Sequence, residues 1–339
     1  MNAQETDQSS TLPRSTLVSS WRRRGKKLVA VLRPTSLRPT ALPSGKLLTL
    51  AISSLLPVTM EPPCIAKEIA PTKAGITYST TNTTPLLLDL YIPEDQAGPA
   101  PLVVWVHGGA WRAGTRTRVP IKGLLKHGLA IASVDYRLSG DAAFPAQIHD
   151  INHAITYLRQ HAATLGLDPK RFSIAGSSAG GHLATLAGVS SNVAGLLPPS
   201  ANDLPISPKT LRVSSIVSLF GASNLETILQ QSTPHGLSVR IPALQLLLRG
   251  QPEQKAELAR LASPVTHVDG DDPPLLLLHG DQDPQMPINQ SHELEGAYQQ
   301  AGGQVHFEVV HGGEHGGNKF YTDAQILQIA DFIKASFAE

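Results

Sequence analysis

Residues 176–180 read Gly-Ser-Ser-Ala-Gly, a Gly-x-Ser-x-Gly pentapeptide with Ser178 at its centre. A serine hydroxyl is a weak nucleophile at neutral pH. It needs an imidazole to take its proton, and that imidazole needs a carboxylate to orient it. Of 13 histidines, His315 stands out, in His311-Gly312-Gly313-Glu314-His315-Gly316-Gly317. Glycines on both sides let such a ring hang over a nucleophile. His311 is the competitor, placed where it would anchor the turn. The acid is sought between serine and histidine, in Gly280-Asp281-Gln282-Asp283-Pro284. Asp283 is preferred to Asp281, which comes directly at a strand end and would more naturally cap the turn. Acyl transfer also passes through an oxyanion that needs backbone N–H donors. His107-Gly108-Gly109-Ala110-Trp111 supplies such a loop. The expected donors are the Ala179 amide and that of Gly108 or Gly109. Trp111 is either core packing or a substrate-binding wall of the acyl pocket. Asp135 and Asp150 come too early for the orienting acid, and His107 is expected to be structural. His149, His153 and His161 share one amphipathic segment and His292 lies on another.

These residues must be held by elements, and the body of the chain alternates strands and helices. Strands are expected at 75–80, 86–92, 102–107, 129–135, 171–175, 212–220, 274–279 and 305–310. Helices are expected at 118–127, 145–165, 178–189, 287–301 and 322–337, several with apolar residues at helical spacing. Continuous apolar strands separated by helices imply a mainly parallel sheet covered on both faces. The first two strands have too little chain between them for a crossover and should pair antiparallel. Each chemistry-bearing turn follows a strand: 107–111, 176–180, 280–284 and 311–317. Residues 190–209 should be a loop, and 221–262 a small cap over the mouth of the site.

The first 66 residues differ. They are rich in Ser, Thr, Pro and Arg, with a basic stretch Arg22-Arg23-Arg24-Gly25-Lys26-Lys27 and a short apolar run from Leu47 to Val58. Basic region, apolar core and small residue make a signal-peptide pattern with cleavage after Ala66; a disordered tail with an apolar patch is the alternative. Domain organisation is therefore read as a leader, 1–66, and a catalytic domain, 67–339, in a secreted or periplasmic protein. The leader carries nine of the 28 basic and three of the 27 acidic residues, which leaves 19 against 24 in the body, a net of −5. That balance does not suggest nucleic-acid binding. No run approaches a spanning helix, so stable membrane insertion is not expected. The lone cysteine, Cys64, falls in the leader, and the histidines lack metal-site spacing, so no metal and no organic cofactor are expected.

Taken together, 107–111, Asp135-Tyr136-Arg137-Leu138, Gly-Ser-Ser-Ala-Gly-Gly-His-Leu-Ala at 176–184, Ser263-Pro264-Val265-Thr266 and His-Gly-Asp-Gln-Asp at 279–283 resemble the BD-FAE-like esterases. That group is related to the hormone-sensitive-lipase-like carboxylesterases. The resemblance spans about residues 75–337 and implies an α/β-hydrolase fold: an eight-stranded, mostly parallel sheet with helices on both faces and a small cap. It implies a serine carboxylesterase acting on short-chain or carbohydrate-linked (acetyl or feruloyl) esters, with a small-molecule or polysaccharide ester as partner. An amide or aryl-formamide hydrolase of the same fold, and a non-catalytic binding protein on that fold, are the alternatives. Fold alone does not choose the substrate.

Overall fold

The computed structural model describes residues 69–81, 84–199 and 206–338. The basic leader and the expected cleavage after Ala66 lie outside the described residues. Eight strands form one sheet: β1 (Lys73–Thr81), β2 (Thr84–Tyr91), β3 (Ala100–Val106), β4 (Ala130–Val134), β5 (Leu167–Ser177), β6 (Ile216–Leu219), β7 (Leu275–Gly280) and β8 (Val305–Val310). Their order is β1-β2-β4-β3-β5-β6-β7-β8. β1 and β2, and β2 and β4, pair antiparallel, and every later pair is parallel. This is the α/β-hydrolase architecture.

The alternation of side chains along the strands builds two cores. Leu102, Val104 and Val106 of β3 point to one face, with Ala130, Ala132 and Val134 of β4 and Leu275 and Leu277 of β7. Helices Ala146–Gln160, Ala179–Val189 and Asn289–Ala301 cover that face, the first with Ile148, Ile151, Ala154, Ile155 and Leu158. Val103 and Trp105, Ile131, and Leu276 and Leu278 point the other way, onto Leu124, Ile326, Ile329 and Ile333. Each fully buried aliphatic side chain contributes about 1.5–3 kcal/mol relative to exposure.

Several elements differ from the sequence expectation. The helix expected at 118–127 is only a 3-10 turn, Lys122–His127, because the preceding residues form a loop that Arg116 ties down. The helix expected at 145–165 breaks at His161, which separates Ala146–Gln160 from Ala162–Leu165. The strand expected at 212–220 starts at Ile216, and Phe220 ends it with φ of 43°. Residues 221–262 carry helices Ile228–Gln231, Pro234–Leu248 and Ala256–Leu261. Their Leu225, Ile228, Leu244 and Leu247 pack into the first core.

Candidate active site

The turn between β5 and the helix Ala179–Val189 is a single residue wide. Ser178 sits in it with φ of 55° and ψ of −121°, a conformation costly for any L side chain. The neighbouring turn atoms enforce it. A Cβ at Gly176 would collide with the carbonyl of Gly180, and one at Gly180 with that of Val106. Only glycine allows the strand and the helix to approach so closely. The result lifts the Ser178 hydroxyl off the sheet, at the start of an 11-residue helix whose first amides have no intrahelical acceptor. Ala179 is the first of them.

Two loops from distant parts of the chain meet this hydroxyl. His315 Nε2 lies 2.8 Å from Ser178 Oγ, and His315 Nδ1 lies 2.7 Å from Asp283 Oδ2. Asp283 is buried, and its other oxygen accepts the amides of Gln285 and Met286, both at 2.8 Å. His279 Nε2 approaches the same carboxylate at 3.4 Å. Burial would raise this carboxyl, but the hydrogen bonds from His279 and His315, the His315 charge and the Met286 amide outweigh it. The group is held well below the ordinary carboxylate range. Phe220 packs edge-on against the His315 ring at 4.9 Å and keeps it over the serine.

The competing pair closes on itself. His311 Nδ1 lies 2.9 Å from Asp281 Oδ2, and the Gly312 amide donates to Asp281 Oδ1 at 2.7 Å. Asp281 and His311 thus join the same two loops one step further out, with His311 at 87% exposure, away from Ser178. Asp135 and Asp150 are structural. Asp135 binds Arg116, and Asp150 forms a bidentate pair with Arg137. Tyr136 between them donates to the His107 carbonyl at 3.0 Å and stacks on the His107 ring. So 135–137 braces the glycine loop from behind.

A cavity of about 680 Å³ opens over Ser178 and His315, with Gly108 and Gly109 in its wall. Gly108 is so near the nucleophile turn that a Cβ there would collide with the Ser177 carbonyl. Gly109 has φ of 122°, which favours glycine. Trp111 requires a correction, because it is fully buried and is not part of the wall. Its Nε1 donates to His182 Nδ1 at 3.1 Å, and His182 Nε2 donates to the Ala262 carbonyl at 2.7 Å. Burial pushes His182 down to about 4, against the opposing Ala262 bond, so this histidine is a neutral core bridge. Ser177, next to the nucleophile, is in the wall beside Tyr321. No residue of 221–262 is in the wall. That segment reaches the site through Arg240, which is fully buried and donates to the Gln285 carbonyl at 2.8 Å behind Asp283. Arg240 was missed, although it shares its spacing with buried Gly236, Ala243, Leu244 and Leu247 on one helix face. Among the described residues, no group of three or more His, Cys, Asp or Glu side chains is arranged to hold a metal ion. No helix there is long and apolar enough to cross a membrane.

A hydroxyl, imidazole and carboxylate in line, beside a glycine loop and a helix start, can perform nucleophilic acyl transfer. Known proteins with the same framework are consistent with that. The chain is 31% identical to Esterase LipC of Mycobacterium tuberculosis (strain ATCC 25618 / H37Rv) over 209 residues, 60% of this chain and 50% of LipC. Isoprenylcysteine alpha-carbonyl methylesterase ICME of Arabidopsis thaliana is 28% identical over 236 residues, 67% of this chain and 53% of that one. The chain thus spans about half the length of the curated relatives it matches. Among solved structures, a truncated form of carbohydrate esterase from gut microbiota superposes with a TM-score of 0.69 at 29% identity, over 81% of this chain and 99% of that one. The BD-FAE family profile matches residues 88–298, which takes in the glycine loop, Ser178 and Asp283, and the chain belongs to the BD-FAE family.

Proposed function

We propose that this protein is a serine carboxylic-ester hydrolase working through an acyl-enzyme. The observation that carries this reading is the continuous chain from Ser178 Oγ through His315 to Asp283, at 2.8 and 2.7 Å, facing an open cavity. His315 Nε2 takes the Ser178 proton as Oγ bonds to the ester carbonyl carbon, and the carbonyl π electrons move to oxygen. The oxyanion accepts from the Ala179 amide and that of Gly108 or Gly109; one such donor contributes about 3 kcal/mol in the transition state. Collapse breaks the carbon–alkoxy bond, and His315 returns its proton to the departing alcohol. Water then adds to the acyl-enzyme with His315 again as base. The acid leaves and Ser178 regains its proton. A fluorophosphonate should label the Ser178 peptide, read by mass spectrometry. A labelled serine elsewhere, or no label in active protein, would contradict the assignment.

Short acyl groups, or acetyl and feruloyl groups linked to carbohydrate, are the proposed substrates. The likeness to a gut carbohydrate esterase supports the second class. With Trp111 in the core, an aromatic acyl group would meet the Phe220 side of the wall instead. A 4-nitrophenyl ester series should peak at about two to four acyl carbons. A peak at long chains would make this a lipase. We also propose export of the protein, on the leader pattern. Terminal sequencing of secreted protein should then begin near Lys67, and an intact cytoplasmic chain would remove the proposal.

A further inference from the structure

The loop after β3 carries three arginines within seven residues: Arg112, Arg116 and Arg118. Arg116 is neutralised. Its Nε donates to Asp89 at 3.0 Å, its Nη1 to Asp135 at 2.7 Å, and its amide to the other Asp135 oxygen at 2.7 Å. These bonds pin the loop to the ends of β2 and β4. The other two arginines then stand in the wall of the cavity over Ser178. Both are exposed, and among the described residues neither guanidinium is in an ion pair. Arg118 shares the wall with Tyr321, and its charge acts on that phenol. The wall includes no Asp or Glu, and Asp283 is buried behind His315. This happens in a body whose net charge is −5, with 19 basic and 24 acidic residues from 67 onward.

We infer that the cavity selects esters carrying a carboxylate, with Arg112 and Arg118 as its receptors. This rests on the ester-hydrolase reading above and names its substrate class. Two free guanidinium forks match a carboxylate in plane and in charge, which a neutral ester cannot use. A cleft of one sign also concentrates substrate of the other, and salt weakens the effect. The carboxylate belongs to the acid or to the alcohol half of the ester, as in a half-ester of a dicarboxylic acid or an ester of an acidic alcohol.

Matched pairs test both halves. Monoethyl succinate against ethyl butyrate, by pH-stat, places the charge on the acyl side. 4-Acetoxybenzoate against its methyl ester, read as acetate release, places it on the alcohol side. In at least one pair the anionic member should have the higher kcat/KM, by about 10-fold at low salt, mainly through KM. The ratio should fall as salt rises, and fall to one or below in the Arg112→Gln/Arg118→Gln double variant. Neutral esters preferred in both pairs, or a ratio that the double variant leaves unchanged, overturns the inference. Binding of monoethyl succinate and 4-acetoxybenzoate to the Ser178→Ala protein, by calorimetry, separates the two readings. Binding that needs both arginines, without hydrolysis of any ester by the wild type, would sink the hydrolase reading and keep the anion receptor. Ester hydrolysis with no such binding would do the reverse.

Discussion

Ser178→Ala is expected to lower kcat by about 10⁴- to 10⁶-fold while leaving the fold in place. The change removes one oxygen. That oxygen faces the cavity and lies 2.8 Å from His315 Nε2, so without it the covalent route is lost. Residual rate would come from the oxyanion donors and substrate binding, which survive the substitution. Stability should change little. The Ser178 side chain makes no capping hydrogen bond to its helix, and Ala accepts the strained backbone at the same cost as Ser. The one lost hydrogen bond is worth about 1 kcal/mol. Initial rates on a short-chain ester and a thermal melt check both halves. Turnover within tenfold of wild type would remove Ser178 from the chemistry.

Asp283→Asn should cost about 10⁴-fold in kcat with the turn intact. Asn can still accept the Gln285 and Met286 amides that hold the turn at 2.8 Å. It cannot present an acceptor to His315 Nδ1 in place of the carboxylate oxygen now 2.7 Å away without giving up those bonds. Its NH₂ group instead favours the tautomer with hydrogen on Nε2, which cannot take the serine proton. Asp281→Asn is the control. Asp281 bonds the outer His311 and Gly312 and not His315, so less than about a tenfold loss is expected. The reverse ranking would move the acid to Asp281. There is also a pH signature. Folding lowers the Asp283 pKa, so its contribution to stability is present above the unfolded carboxylate value of about 3.9 and is lost as pH falls through the lower folded value. Acid denaturation of Asp283→Asn should lose that component. An unchanged acid limb would argue against a stabilising ionised Asp283.

What could be read from the sequence was what is local. The run Leu102 to Val106 alternates between the two cores, so its period of two already implied a strand buried on both faces. Gly176 and Gly180 flank Ser178 because a one-residue strand-to-helix turn tolerates nothing larger, and that constraint acts over five residues. Boundaries read less well. Phe220 has strand-like apolar character, yet it leaves the sheet to pack on His315, a contact set by a loop almost a hundred residues away.

The order of the eight strands and the turns on which Ser178, the two aspartates and the two histidines stand were legible in the sequence, because hydrophobic period and glycine placement act over short stretches. The sequence preferred Asp283 and His315, and the contact that pairs them forms between distant parts of the chain. Asp281 and Asp283 are two residues apart on one turn, and the register of β7 on β8 sends Asp281 to His311 and Asp283 to His315. The same holds for Trp111, drawn into the core by His182, 71 residues away. It holds too for Arg112 and Arg118, left at the cavity because Asp89 and Asp135 take Arg116. Such choices depend on partners that are distant in the chain and adjacent only after the sheet has formed.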